Sequence, residues 1–249
     1  MNGLLATLGL AAISATALVS TPAFAGEAVT ADTVVELFTS QGCSSCPPAD
    51  ELAGQLSSHK NIVVLSMPVD YWDYLGWKDT FAQHQFSERQ RSYALARGDG
   101  QVYTPQMVVN GLQHAVGSEE SSVQAAISST SAELSGKRVP LKLVTSGDGI
   151  TVDIGAAPGG AGSAKANIIL ADFKSSADVS IKRGENGGRK VTYYHVVRQL
   201  RSLGAYNGKP MTIHLTMADM AAGGSDGCAV LLQQGDSGPI LAAAQVASW

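Results

Sequence analysis

Cys43-Ser44-Ser45-Cys46 is the stretch of this sequence whose residue types and spacing lend themselves most directly to chemistry. Two thiols separated by two residues can close an intramolecular disulfide and exchange it with a substrate through a mixed disulfide. Pro47 and Pro48 follow at once, and Asp50 and Glu51 come next, the composition of a helix N-terminus. The N–H groups and dipole at that end of a helix stabilise a thiolate. The expected reactive form is therefore Cys43 exposed at the helix edge with a lowered pKa, and Cys46, inside the helix, as the buried resolving thiol. Two other chemistries fit the same pair. It could be an inert disulfide in an exported protein, or part of a metal site. Zinc lacks a second cysteine pair, since the third cysteine, Cys228, stands alone; a copper chaperone would need Met67 or His114 to join the thiols.

Other residues stand where they could serve such a centre. Thr104-Pro105 opens the apolar segment Met107-Val108-Val109. The proline there is either a cis residue facing the dithiol or an ordinary trans residue starting an edge strand. Tyr71, Trp72, Tyr74 and Trp77 form an aromatic, acidic loop that either lines the dithiol face and grips a substrate or closes a core between sheet and helix. Arg89 and Arg91, near Glu88, read as helix-surface contacts. The basic turn Lys182-Arg183-Gly184-Glu185-Asn186-Gly187-Gly188-Arg189-Lys190 reads as a solvated hairpin tip, with an acidic partner or the acidic first half of the chain as the alternative. Cys228 adjoins Ala229-Val230-Leu231-Leu232 and reads as a buried apolar thiol, with a third redox cysteine as the rarer option. Tyr193, His195 and Arg198 share no motif with a nucleophile, and no Ser–His–Asp order emerges.

The elements that must position these residues follow from apolar patterning. Residues 34–38 are a β-branched and aromatic run, hence a buried strand, and 62–65 form a second, parallel to it. Helices are expected after Pro47, across residues 81–96 up to Gly98, and from Ser118. Asn110-Gly111 between two apolar segments marks a hairpin. The order is β-α-β-α-β-β-α. From Lys137 the texture changes to about eight short alternating segments, which predicts an all-β, sandwich-like second domain. Charge shifts at the same place: residues 26–137 hold 6 Lys+Arg against 13 Asp+Glu, and residues 138–249 hold 11 against 8. That shift suits two docking domains and is too weak to argue for nucleic acid. Residues 1–25 read as a secretory leader, apolar and ending in Ala23-Phe24-Ala25, although no Lys or Arg precedes the apolar run. A periplasmic or secreted protein without a membrane span follows. The expected parts are a leader over 1–25, an α/β domain over 26–136 and a β-rich domain over 137–249.

The sequence resembles an uncharacterised family of secreted bacterial thioredoxin-like proteins. The resemblance is carried by residues 36–50, from Glu36 through the Cys43–Cys46 pair to Asp50, by Val69-Asp70-Tyr71-Trp72-Asp73, and by Arg183-Gly184-Glu185-Asn186. It implies an α/β thioredoxin-like N-terminal domain, a nucleophilic Cys43, a resolving Cys46 and a cis Pro105 facing them, with Thr104 helping to hold the substrate. Thioredoxins also place an acid under the dithiol to take the resolving thiol's proton, a role for which Glu36 is the candidate; the alternative is a solvated edge carboxylate. Ser-Ser between the cysteines leaves reductase, isomerase and oxidase open. The expected function is exported thiol–disulfide exchange on protein or small-molecule thiols, with a redox partner to reset the dithiol and no organic cofactor. The rival readings are a binding protein with a static disulfide and the metal chaperone.

Overall fold

The structure is a computed structural model that describes residues 28–220 and 224–247; the expected leader lies outside the described residues. In chain order the strands are β1 (Ala28–Ala31), β2 (Thr33–Thr39), β3 (Ile62–Pro68), β4 (Gln106–Val109), β5 (Gln113–Val116), β6 (Leu141–Ser146), β7 (Gly149–Ile154), β8 (Ala166–Ser180), β9 (Lys190–Tyr206), β10 (Met211–Thr216), β11 (Gly227–Gln233) and β12 (Ile240–Val246). The helices are α1 (Pro47–Ser57), α2 (His84–Arg97), α3 (Glu120–Glu133) and the short α4 (Met217–Met220).

A free-standing α/β thioredoxin-like domain followed by a separate sandwich is not what this chain builds. The protein is mostly β. One mixed nine-stranded sheet runs β1-β12-β11-β8-β9-β3-β2-β4-β5, and a three-stranded sheet runs β10-β7-β6. The larger sheet takes strands from both halves of the sequence. β3 is parallel to β2 on one edge and meets β9 on the other, with Ser66 opposite Val196 and the Ser66 hydroxyl donating to the Tyr194 carbonyl at 2.7 Å. β1 crosses to the far edge and pairs with β12. The change of texture at Lys137 therefore marks a change in local patterning and not the start of an independent body. Two of the expected short segments, residues 166–170 and 179–182, fall largely on one strand of 15 residues, β8, which pairs along the 17-residue β9. The periodicity hid this length because register shifts near Ile168 and Asp172 break the alternation.

Burial of both sheet faces explains why β2 and β3 are apolar without alternation. Val35 and Leu37 pack with Leu52 and Leu56 of α1 and Val123 and Ile127 of α3. Val34 and Phe38 face the other way, onto Phe86 and Tyr93 of α2. A third cluster fills the space between the small sheet and β8, β11 and β12, with Leu143, Val152, Leu170 and Val230 among its members. Among the described residues no helix is long and apolar enough to cross a membrane.

Candidate functional site

β2 ends at Thr39, and the loop Ser40-Gln41-Gly42 carries the chain to Cys43. Cys43 and Cys46 are joined in a disulfide, with their Cα atoms 5.4 Å apart. Cys46 is the N-cap of α1, and its carbonyl accepts from the N–H groups of Ala49 and Asp50. Pro47 and Pro48 fill the first helical positions, where a missing N–H leaves nothing unsatisfied. The sequence places the pair at this strand-to-helix junction with Cys46 buried, as found, but it predicts an exposed Cys43, which the structure corrects. Cys43 is 1% exposed and Cys46 fully buried, while Ser44 and Ser45 between them face solvent.

The other half of the chain docks on the main chain around Cys43. Asn186, at the tip between β8 and β9, is completely buried, and its side-chain amide donates to the carbonyls of Gln41 at 3.0 Å and Cys43 at 2.8 Å. The Arg189 guanidinium in turn donates to the Asn186 side-chain oxygen at 3.2 Å. The Ser44 amide donates to Glu185 at 3.3 Å. Gly184 sits at φ +78, and a Cβ there would lie 3.2 Å from the Cβ of Trp77. The basic turn is thus docked on the disulfide loop and is not a free hairpin tip. Sequence reasoning places Asn186 in the basic turn and in a resemblance motif but gives it no role; an asparagine followed by two glycines inside that turn was the available signal.

A buried acidic group lies beneath the same loop. Asp50, one turn beyond Cys46 on α1, accepts from the Thr39 hydroxyl at 2.8 Å through one oxygen, and its other oxygen has no hydrogen-bond partner. Burial pushes its carboxyl well above the usual range; the Thr39 bond opposes this and the Asp79 charge adds to it. Asp79 accepts from the Gln41 amide at 2.7 Å and the Phe81 amide at 2.8 Å, and burial raises it to about 6 in spite of these bonds. The sequence marks Asp50 only as an acid in the first turn of a helix and carries no signal for Asp79.

Glu36 is not brought to the dithiol. Its neighbours Val35 and Leu37 face α1, so its own side chain points to the opposite face of the sheet. There it accepts from Arg89 at 2.8 Å and from the Tyr93 hydroxyl, and Arg89 also donates to Tyr93 and to Gln233, each at 2.8 Å. Arg89 is therefore a core residue; of the two arginines, only Arg91 keeps a helix-surface contact, with Glu88. Burial lowers the Arg89 pKa, but the Glu36 carboxylate and the Tyr93 hydroxyl together hold it above the ordinary value.

The aromatic loop divides. Trp72 bridges the site: its indole N–H donates to the Thr104 hydroxyl at 2.8 Å, and a Cβ on Gly42 would lie 3.1 Å from its own Cβ. Trp77 donates to the Gln41 side chain at 2.8 Å. Tyr71 turns away and bonds Gln90 of α2 at 3.1 Å, and Tyr74 is 79% exposed. Thr104-Pro105 is a cis peptide. Pro105 is buried close to α1: a Cβ on Gly117 would lie 3.0 Å from that of Ala49 and 3.3 Å from that of Pro105. Met67 packs with Phe38 in the core on the face away from α1. His114 bonds Tyr103 at 2.7 Å and Asp99 at 3.2 Å. Among the described residues no group of three or more His, Cys, Asp or Glu could hold a metal ion. Cys228 is buried on β11, and burial pushes its thiol up to about 12.

Fold and site together define a class: a mixed-sheet protein nine strands wide that carries a helix-capping Cys-x-x-Cys disulfide beneath a hairpin of its own chain. The chain belongs to the DUF1223 family, described as a protein of unknown function, whose profile matches residues 34–233. It is similar to the crystal structure of protein AGR_C_4864 from Agrobacterium tumefaciens, at 38% identity and a TM-score of 0.76, over 87% of this chain and 94% of that one. A second solved structure, HBP35 of Porphyromonas gingivalis, matches at 13% identity and a TM-score of 0.49, over 87% of this chain and 75% of that one. No curated protein matches.

Proposed function

We propose that this protein is an exported thiol–disulfide oxidoreductase working through Cys43 and Cys46. The observation that carries the reading is the disulfide at the head of α1 with the buried Asp50 one turn beyond it, one of whose carboxyl oxygens has no hydrogen-bond partner. With the pair oxidised, a substrate thiolate attacks the Cys43 sulfur and forms a mixed disulfide. The Cys43–Cys46 bond breaks, and Cys46 leaves as a thiolate favoured by the dipole at the head of α1. Protonated Asp50 supplies that thiolate with its proton. A second substrate thiolate then attacks the substrate sulfur of the mixed disulfide, which releases Cys43 and one molecule of substrate disulfide. In reverse, a Cys43 thiolate opens a substrate disulfide and ionised Asp50 takes the Cys46 proton.

The burial of Cys43 under Asn186 favours a second reading, a binding protein with a static disulfide. The reduction potential and the Cys43 pKa of the purified protein separate the two. Exchange expects a potential between about −270 and −120 mV and a pKa well under the free-cysteine value of about 8.5. A potential below about −300 mV with an ordinary pKa overturns the exchange reading.

A further inference from the structure

A cleft of about 490 Å³ opens between the head of α1 and the start of β9. Pro47 and Glu51 form one wall, and Arg189, Lys190, Thr192 and Tyr194 are on the other. Pro47 directly follows Cys46, so this wall is covalently continuous with the disulfide. The volume suits a small molecule. The two walls carry opposite charge, two cations facing one carboxylate. Lys190 pairs with Asp178 at 2.7 Å, but both side chains are at least half exposed, so an incoming carboxylate can displace that contact at little cost. Arg189 gives one N–H to Asn186 and has four others to offer.

We propose that this cleft is the substrate pocket of the disulfide and selects disulfides and thiols of amino-acid type, the carboxylate facing Arg189 and Lys190 and the ammonium facing Glu51. The proposal rests on the exchange reading and adds its substrate class. Arg189 also links the pocket to the cap. A carboxylate that engages the guanidinium in two bonds competes with the 3.2 Å bond to Asn186, the residue that holds the carbonyls of Gln41 and Cys43. Occupancy then loosens the cover over Cys43 just where a substrate sulfur must arrive. In the step itself, the Cys43 thiolate attacks one sulfur of the bound disulfide and expels the first thiolate. Cys46 then attacks the Cys43 sulfur and expels the second, and the two protons of the dithiol pass to the two product thiols.

The test uses the reduced protein and three probes: glutathione disulfide, with carboxylates and ammonium groups; cystamine, with ammonium groups only; and hydroxyethyl disulfide, with neither. Single-turnover oxidation is followed by acid quench and mass, and each rate is divided by that of free dithiothreitol with the same probe. Glutathione disulfide is expected to be favoured about tenfold over both others, the worth of one good charge-assisted hydrogen-bonded contact. Arg189→Gln should collapse that ratio, and Asn186→Ser should raise the rate with hydroxyethyl disulfide by uncovering Cys43. Equal rates for the three probes, with a ratio that Arg189→Gln does not move, overturn the pocket while leaving exchange standing. If no probe oxidises the pair, the exchange reading falls and takes the pocket with it.

Discussion

Asp79→Asn gives a direct test of the buried acids beneath the disulfide loop. The Asp79 carboxyl joins two segments through one oxygen each, taking the Gln41 amide at 2.7 Å and the Phe81 amide at 2.8 Å. Asparagine keeps one acceptor and turns an NH₂ toward the other amide, so one buried N–H loses its partner. That offset should cost about 1–3 kcal/mol at any pH. The pH-dependent part is separate and has a definite sign. Burial raises Asp79 from 3.8 to about 6. Below about pH 4 the carboxyl is protonated in both folded and unfolded chains, and its contribution is present in full. As pH rises, the unfolded chain gives up its proton first, so the folded state binds more protons and stability declines. The decline ends once the folded group ionises, through about pH 6. A proton retained over roughly two pH units, each worth about 1.4 kcal/mol, amounts to about 3 kcal/mol.

Urea unfolding of the oxidised protein and of Asp79→Asn at pH 4, 5, 6 and 7.5 reads this out. Wild type should be the more stable at pH 4, and its advantage should shrink by about 3 kcal/mol by pH 7.5. Asp172, also raised to about 6 by burial, titrates alike in both proteins and drops out of the difference. Asp50 is raised partly by the Asp79 charge, so the substitution lets it relax downward and widens the effect. Curves that stay parallel within about 0.5 kcal/mol would refute the argument, because they would mean that Asp79 ionises as readily folded as unfolded.

Two further substitutions probe the frame of the site. Arg89→Met leaves the buried Glu36 carboxylate without its cation and should cost about 3–5 kcal/mol in guanidinium unfolding; a loss under about 1 kcal/mol would show that the pair carries no weight. Gly54→Ala would normally favour a helix by about 1 kcal/mol, but here the added Cβ falls 2.5 Å from the Tyr194 ring, so a net loss of about 1–3 kcal/mol is expected. Combining it with Tyr194→Ala should cost clearly less than the two single changes added together, and strict additivity would mean that the ring is not the obstacle.

Local structure around the cysteines was legible in the sequence because it is written in contiguous residues. Cys43 and Cys46 are three apart, the prolines that start α1 follow them, and Asn110 adopts the left-handed φ of 51° that its Asn-Gly turn asks for. The larger sheet was illegible for the opposite reason. β3 meets β9 through a single register pair between residues 130 positions apart, and no local period encodes such a contact. The same limit explains Glu36. A carboxylate in an apolar strand signals a buried acid, but which face it takes depends on whether α1 or α2 carries its cation. Arg89 settles that from 53 residues away. Asp50 was hidden by its position, since an acid in a first helical turn already has an adequate explanation in the dipole.

The continuity of the sheet bears directly on how the cap works. β9 begins at Lys190, one residue after Arg189, and is fixed to β3 where the Ser66 hydroxyl meets the Tyr194 carbonyl. β3 is fixed in turn to β2 in parallel register, and β2 leads into the disulfide loop. The hairpin tip that covers Cys43 is thus held at its base by the same sheet that holds the disulfide. A cap hung on a separate domain would swing with that domain and expose both sulfurs together. With the base held in the sheet, the opening that the proposed exchange requires falls in the stretch from Ile181 to Arg189, which is closed by its own backbone bonds, the Ile181 amide donating to Arg189 and the Gly188 amide to Ile181. On the exchange reading, uncovering Cys43 takes release of the Asn186 contacts together with the Glu185 bond to the Ser44 amide and the packing of Gly184 on Trp77. On that proposal the first sulfur must meet the substrate while the second remains protected to resolve the mixed disulfide.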